Sequence, residues 1–454
     1  MRVTKLNLKN IGPFENTEIE FRPSGGMQEI HIFTGPNGSG KTTLLQSLSI
    51  FFGSSRSDIE ALLKKMRGGD SSKIEVIVKD QTLKIDMPFG LDRQKLVYAL
   101  EPQRAFGFGI PDPAYKGYEI PYLPQIASRN EKEEWVSFAY TGYRTVRSIP
   151  INAIQEVEYE SWSAALNEAM TFDKQSLENR KSFTLNQWIA NSISKRALSK
   201  EKGKDKEAKK FAVAINILEK IIAKIVGYEI EFDLKTTPLS LVIKAHNSEL
   251  EFDVLPDGLR ATISWVGDLL MRLDSFDALR LDSPDWDQTL PINERRIFLF
   301  LDEIDVHLHP AWQRRILPVV KEFFPNATIF LTTHSPFVVN SIDGAAIYEL
   351  QVEAGKAYLG EVTESKSSRS YQNVLREVFD IDEDFGQPIQ LDLDLFYQYR
   401  NEILAGNESN EDKFIKLANK LAKESIEQES VELQNIIGFE LRQVNRIKGK
   451  NYSV

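Results

Sequence analysis

No cysteine occurs in the 454 residues. Disulfides, zinc–thiolate centres and thiol nucleophiles are therefore excluded. Histidine is scarce: His31, His246, His307, His309 and His334 are the whole set. Only His307 and His309 stand close enough along the chain to chelate a metal, and no further ligand spacing accompanies them. No apolar run approaches the roughly 18 residues that a membrane-spanning helix needs. No heptad pattern is sustained, which excludes a long coiled-coil arm. Positive charge is not in excess: 56 Lys and Arg stand against 66 Asp and Glu, a net charge of −10. A surface broadly coated for nucleic acid is thus disfavoured, while a local basic patch is still allowed. The chain opens on a strand-like alternation rather than a signal peptide, and a cytoplasmic location is expected.

What is present centres on Gly35-Pro36-Asn37-Gly38-Ser39-Gly40-Lys41-Thr42-Thr43. This is a full phosphate-binding loop, preceded by the apolar run Ile30–Thr34 and followed by a helical pattern from Thr43. Its glycines let backbone N–H groups converge on phosphates at a helix N-terminus. Lys41 would reach the β and γ phosphates of ATP, and the Thr42 hydroxyl would hold Mg²⁺. A second half follows much later: Ile297-Phe298-Leu299-Phe300-Leu301 reads as a strand buried on both faces, ending in Asp302-Glu303. Asp302 would hold the Mg²⁺ water shell and Glu303 would act as general base on the attacking water. A third apolar strand, Ala327–Thr332, runs into Thr333-His334-Ser335-Pro336, where His334 can contact the γ-phosphate.

These three motifs, in this order, resemble the ATP-binding-cassette ATPases. The opening segment, ending in Ile11-Gly12-Pro13-Phe14, is similar to the SMC, Rad50 and RecF branch. Leu301–Pro310 and Thr332–Pro336 resemble its compact members, the AAA15 or OLD-like group. The ATPase subunits of Septu and retron-linked anti-phage systems belong to that type, and that of the PARIS system resembles it more loosely. The likeness covers about residues 1–60 and 250–350 well, the remainder weakly. It implies an α/β fold: a two-lobed ATPase head with a parallel core sheet and an antiparallel β subdomain, a helical insertion and an α-helical C-terminal appendix. It also implies a fourth element, a signature loop that caps the γ-phosphate of the opposite subunit. The candidate is Leu255-Pro256-Asp257-Gly258-Leu259-Arg260, with Pro256 where the family has serine. Proline offers neither hydroxyl nor N–H, so anion binding there would rest on the N–H groups of Asp257 and Gly258 and on Arg260. The family implies that His307 and His309 lie near a subunit interface rather than on a metal.

Four regions are expected. Residues 1–160 form an N-terminal lobe with the phosphate loop, a hairpin at Ile74–Asp86 and a strand at Trp135–Tyr140. Arg144 beyond that strand reads equally as a site residue or a structural one. Residues 161–250 form a mostly helical insertion, with a loop carrying Lys195, Arg196, Lys200, Lys202, Lys204, Lys206, Lys209 and Lys210 against Glu201, Asp205 and Glu207. That loop is either solvated or in contact with DNA phosphates, without base readout. Residues 251–365 form the second lobe, with the insert Leu281–Asp287 and a hairpin from Glu349 to Gly360. Residues 366–454 form a helical appendix; from 371 onward it carries 10 Lys or Arg against 16 Asp or Glu, which makes it a poor DNA binder. It is either a packed cap or a docking surface for a partner.

No nuclease constellation is visible, so the expected effector is a separate protein. The function expected from the resemblance is an ATP- and Mg²⁺-dependent ATPase. It would form nucleotide-sandwich dimers or higher homo-oligomers and control a separately encoded effector nuclease docked on residues 366–454. The alternative is a RecF-like repair ATPase that binds DNA directly, through Lys200–Lys210.

Overall fold

The computed structural model describes residues 2–22, 29–49, 73–78, 81–86, 135–142, 151, 153–154, 174–246, 248–279, 291–379, 385–428, 430–449 and 452. Arg144 and the insert Leu281–Asp287 lie outside the described residues. Two units are formed, residues 1–379 and 380–454.

The first unit is built on a 10-stranded sheet. Its strands are β1 (Val3–Ile11), β2 (Phe14–Glu20), β3 (Ile30–Thr34), β4 (Lys73–Val78), β5 (Gln81–Asp86), β6 (Trp135–Tyr140), β10 (Arg296–Leu301), β11 (Ala327–Thr332), β12 (Ala346–Glu353) and β13 (Lys356–Glu364). The order is β5-β4-β1-β2-β13-β12-β3-β11-β10-β6. From β12 to β6 every neighbouring pair is parallel. The β1–β2, β1–β4, β4–β5 and β12–β13 pairs are antiparallel. The expected parallel and antiparallel parts are therefore one continuous sheet, because β13 returns from β12 and meets β2 at Ala357 and Phe14. A separate three-stranded antiparallel sheet, β7 (Glu231–Thr236), β8 (Leu239–Ala245) and β9 (Ser248–Leu250), was not marked in the sequence.

The central strands alternate two apolar sets, as the two-residue strand period requires. Ile297, Leu299 and Leu301 join Ile30, Ile32, Ile329 and Leu331 in a large core on one face. Phe298 and Phe300 join Phe33, Phe330 and Tyr348 on the other, against Leu44, Leu45 and Leu48 of α1 (Lys41–Ser49). The larger core is covered by α2 (Lys174–Glu201), α3 (Asp205–Val226) and α4 (Asp257–Leu279). The inward stripe of α3, Ala214, Ile215, Leu218, Ile221, Ile222 and Ile225, recurs at helical spacing.

The Lys-rich segment differs from the expected loop. Most of it is helical, and only Lys202-Gly203-Lys204 turns between α2 and α3. The turn is closed by N–H groups of Gly203 and Lys204 donating to the carbonyls of Lys200 and Ser199, at 3.0 and 2.8 Å. The basic side chains thus sit at the end of a short helical hairpin, because a three-residue turn suffices once both helices pack their apolar stripes. Among the described residues, no helix is long and apolar enough to cross a membrane.

His31 on β3 is fully buried among Phe21, Phe330 and Tyr348, with its ring stacked 4.7 Å from that of Phe330. Its Nδ1 meets the Tyr348 hydroxyl at 3.2 Å. Burial pushes its pKa down from the usual 6.5; Glu29, 3.8 Å from Nε2, pulls the other way, and Arg2, paired with Glu29, adds to the lowering. The folded state therefore resists a proton that the unfolded chain accepts, so His31's contribution is complete above pH 6.5 and is lost as pH falls below it. Acidification from about pH 7.5 to about 5.5 is expected to lower the melting temperature of the parent more than that of His31→Phe. Equal slopes for the two would refute this.

The second unit has its own core. Its helices α8 (Gln387–Leu404), α9 (Glu411–Glu427) and α10 (Val431–Lys448) enclose Phe396, Phe414, Leu421, Ile437, Leu441 and Val444. Phe396 and Phe414 stack at 4.8 Å, and Arg400 pairs with Glu440 at 2.6 Å. The helix α7 (Tyr371–Phe379), which sequence patterning groups with the appendix, belongs to the first unit.

Candidate nucleotide site

Parallel strands β3, β11 and β10 lie side by side, so the loops leaving their C-terminal ends converge. The β3 loop opens α1. Gly35, Gly38 and Gly40 take positive φ (138°, 84° and 85°), which turns the loop tightly without a Cβ penalty. Lys41 is buried, and its Nζ donates to the carbonyls of Gly35 and Pro36, both at 2.9 Å. Burial lowers its pKa, while Asp302, Glu303 and Asp305 pull it back up. Ser39 Oγ is buried without a hydrogen-bond partner in the loop's interior.

The β10 loop carries the two acids. Asp302 Oδ2 accepts from Thr42 Oγ1 at 2.8 Å, and its Oδ1 accepts from Thr332 Oγ1 at 2.6 Å. Glu303 has a left-handed backbone, φ 48°, and its N–H donates to Thr332 Oγ1 at 2.7 Å. For a residue other than glycine such a backbone costs about 1–3 kcal/mol and is held by its surroundings. Gly142, just after β6, makes room for the Glu303 side chain: a Cβ there would lie 2.6 Å from Glu303 Oε2. The β11 loop supplies His334, whose N–H points to Asp305 Oδ1 at 3.4 Å. Partial burial and the Lys41 cation hold its imidazole below the ordinary 6.5, against Asp305, Glu303 and Asp302.

Asn37, Gly38, Gly40, Lys41, Thr42, Thr43, Glu303 and His334 line one cavity of about 480 Å³, rimmed by Gly12, Pro13 and Gly355. The fold thus brings together most of the residues marked in sequence. A hydroxyl and a carboxylate meeting at 2.8 Å are hard oxygen ligands of the kind Mg²⁺ prefers, so the residues fit that ion. Residues 257–260 are not among those lining the cavity. Asp257 and Arg260 pair with each other in the first turn of α4, and Gly258 packs beneath the His307 carbonyl. His309 is a helix cap: its Nδ1 accepts from Ala311 N at 3.2 Å at the start of α5 (Pro310–Phe323).

Sequence reasoning missed Thr332 and Gly142. A polar residue following the apolar run Ile329–Leu331 at the strand's end was the available signal for Thr332. Nothing local marks Gly142, whose neighbour Glu303 is distant in sequence.

A family profile described as "AAA domain, putative AbiEii toxin, Type IV TA system" matches residues 30–340. Over 118 residues the chain is 32% identical to the retron Ec83 probable ATPase of Escherichia coli, covering 26% of this chain and 20% of that protein. Over 117 residues it is 30% identical to the Septu protein PtuA of Bacillus thuringiensis, covering 26% of this chain and 27% of that protein. The matched stretch thus spans about a quarter or less of these relatives' length. Among solved structures, an SMC head bound to the C-winged helix domain of ScpA aligns with a TM-score of 0.40 and 13% identity, over 80% of this chain and 98% of that one.

Proposed function

The chain belongs to the AAA-domain family whose profile spans residues 30–340, and we propose that it is an Mg²⁺-dependent ATPase controlling a separately encoded effector in anti-phage defence. One observation carries the ATPase reading: Lys41, Thr42, Glu303 and His334 line one cavity, and Asp302 is bonded to Thr42 at its edge. The names of the retron and Septu relatives support the defence context.

Loop N–H groups and Lys41 bind the β and γ phosphates. Thr42 and Asp302 hold Mg²⁺, which when bound neutralises charge on those phosphates. Glu303 takes the proton of the attacking water as its oxygen bonds to the γ-phosphorus and the bridging β–γ oxygen leaves. His334, held neutral, steadies the γ-phosphate by hydrogen bonding. The Asp257–Arg260 turn caps the nucleotide of a second copy, giving a head-to-tail dimer. The effector, a nuclease in this reading, docks on the helical unit 380–454. Leu391, Leu395 and Phe439 are exposed there amid an excess of acidic residues, which suits a partner with an apolar, basic face.

The test is phosphate release and light scattering on the full chain, with ATP and with Mg²⁺ or chelator. Mg²⁺-dependent release and an ATP-dependent doubling of mass are expected. No release and no mass change would overturn the reading. The exposed Lys200, Lys202, Lys204, Lys206, Lys209 and Lys210 at the hairpin tip favour a second reading, a RecF-like ATPase on DNA. Duplex binding that falls steeply with salt would favour it.

A further inference from the structure

Two elements of the site meet at one side chain that does not itself line the cavity. Gln313, half-buried on α5, donates from Nε2 to the carbonyls of Leu308 and Asp305, at 2.9 and 3.3 Å. Its Oε1 accepts from Ser335 Oγ at 2.7 Å. The orientation follows from the partners: carbonyls cannot donate, so they require the amide nitrogen, and the hydroxyl then takes the oxygen. Asp305 makes a parallel link, accepting on Oδ1 from Thr333 Oγ1 at 2.5 Å. Loop 302–308 and turn 333–335 are therefore tied at two points.

The same loop has a third neighbour. Gly258, in the first turn of α4, sits so close that a Cβ would lie 2.4 Å from the His307 carbonyl oxygen and 3.3 Å from Leu308 Cα. Within the loop Glu303 and His307 both hold positive φ, 48° and 63°. Two such residues in one short loop persist only when the surrounding structure holds them. Thr332 and Thr333 hold the loop's start, and Gln313 adds two bonds further along, on the carbonyls of Asp305 and Leu308, which flank the His307 region. Ser335, in turn, caps α6 (Pro336–Val339), accepting from Phe337 N and Val338 N, so the His334 turn is rigid on its other side.

We propose that Gln313 is a positioning residue of the site. It locks the Glu303 loop, the His334 turn and, through His307 and Leu308, the start of α4 into one register. This rests on the ATPase reading above and adds the element that aligns the general base with the γ-phosphate contact.

The test uses full-length Gln313→Glu and Gln313→Met. Glu keeps the length and an acceptor for Ser335 but lacks both donors and sets a carboxylate against two carbonyls. Met keeps the length and removes all three bonds. Both are expected to lower kcat at least about tenfold while KM, and the affinity for a non-hydrolysable ATP analogue, stay within about twofold. Because Gln313 and Ser335 share one bond, Ser335→Ala and Gln313→Met combined should lose little more than the worse single variant. Unchanged kcat, proportional loss of analogue affinity, or additive losses would each overturn the assignment. Should a Gln313 variant not fold, Ser335→Ala alone must still show the kcat loss with unchanged KM. A parent that binds the analogue but releases no phosphate would overturn the ATPase reading and this inference together. A parent that turns over, with variants matching it, would overturn only the role of Gln313.

Discussion

Glu303→Gln is expected to abolish most phosphate release while leaving ATP bound. The substitution keeps the shape, so the room left by Gly142 and the backbone bond to Thr332 Oγ1 are undisturbed. It removes only the capacity to take a proton, a contribution typically on the order of 10²–10⁴ in rate. Turnover should therefore fall about a hundredfold or more, with affinity for ATP changed less than about twofold. Trapped ATP should also hold the dimer closed, so the variant should stay at doubled mass on ATP where the parent relaxes. Single-turnover release and light scattering check both halves. Turnover at the parent's rate would remove Glu303 from its role.

Lys41→Ala is expected to do the opposite, striking binding first. Lys41 is the buried cation of the loop, and its ammonium already spans the carbonyls of Gly35 and Pro36. Replacement removes the charge that would meet the phosphates and leaves those carbonyls without that donor. A charge-assisted bond is worth about 1.5–3 kcal/mol, so affinity should fall on the order of a hundredfold. Titration with a fluorescent ATP analogue measures it, with the melting curve as a control for folding. Unchanged affinity in a folded variant would withdraw the cavity as a nucleotide site.

A pH effect on stability is expected elsewhere. His31 lies in the sheet core behind the phosphate loop, so its titration bears on stability, whereas His334 is held neutral near pH 7 by partial burial and Lys41.

The residues proposed to do chemistry were legible because their requirements are local. A phosphate loop needs glycines at fixed offsets within one turn, an all-apolar run of five announces a strand covered on both faces, and acids or histidine at a strand end fall where parallel sheets open. Lys41, Thr42, Asp302, Glu303 and His334 could be read on those terms from the chain alone. What positions them could not. Thr332 bridges Asp302 and Glu303 because β11 happens to lie beside β10; Gly142 is needed only because β6 borders β10; Gln313 matters only because α5 passes both loops. The basic segment read as a loop because its charges hide the helical period, and only the packed stripes of α2 and α3 shortened it to a turn. Sequence by itself determined which side chains are candidates to bind and cleave a phosphate, since that depends on their own chemistry and on backbone geometry over a few residues. Tertiary structure alone decided how those side chains are held, since that depends on strand order and on contacts between residues far apart in the chain.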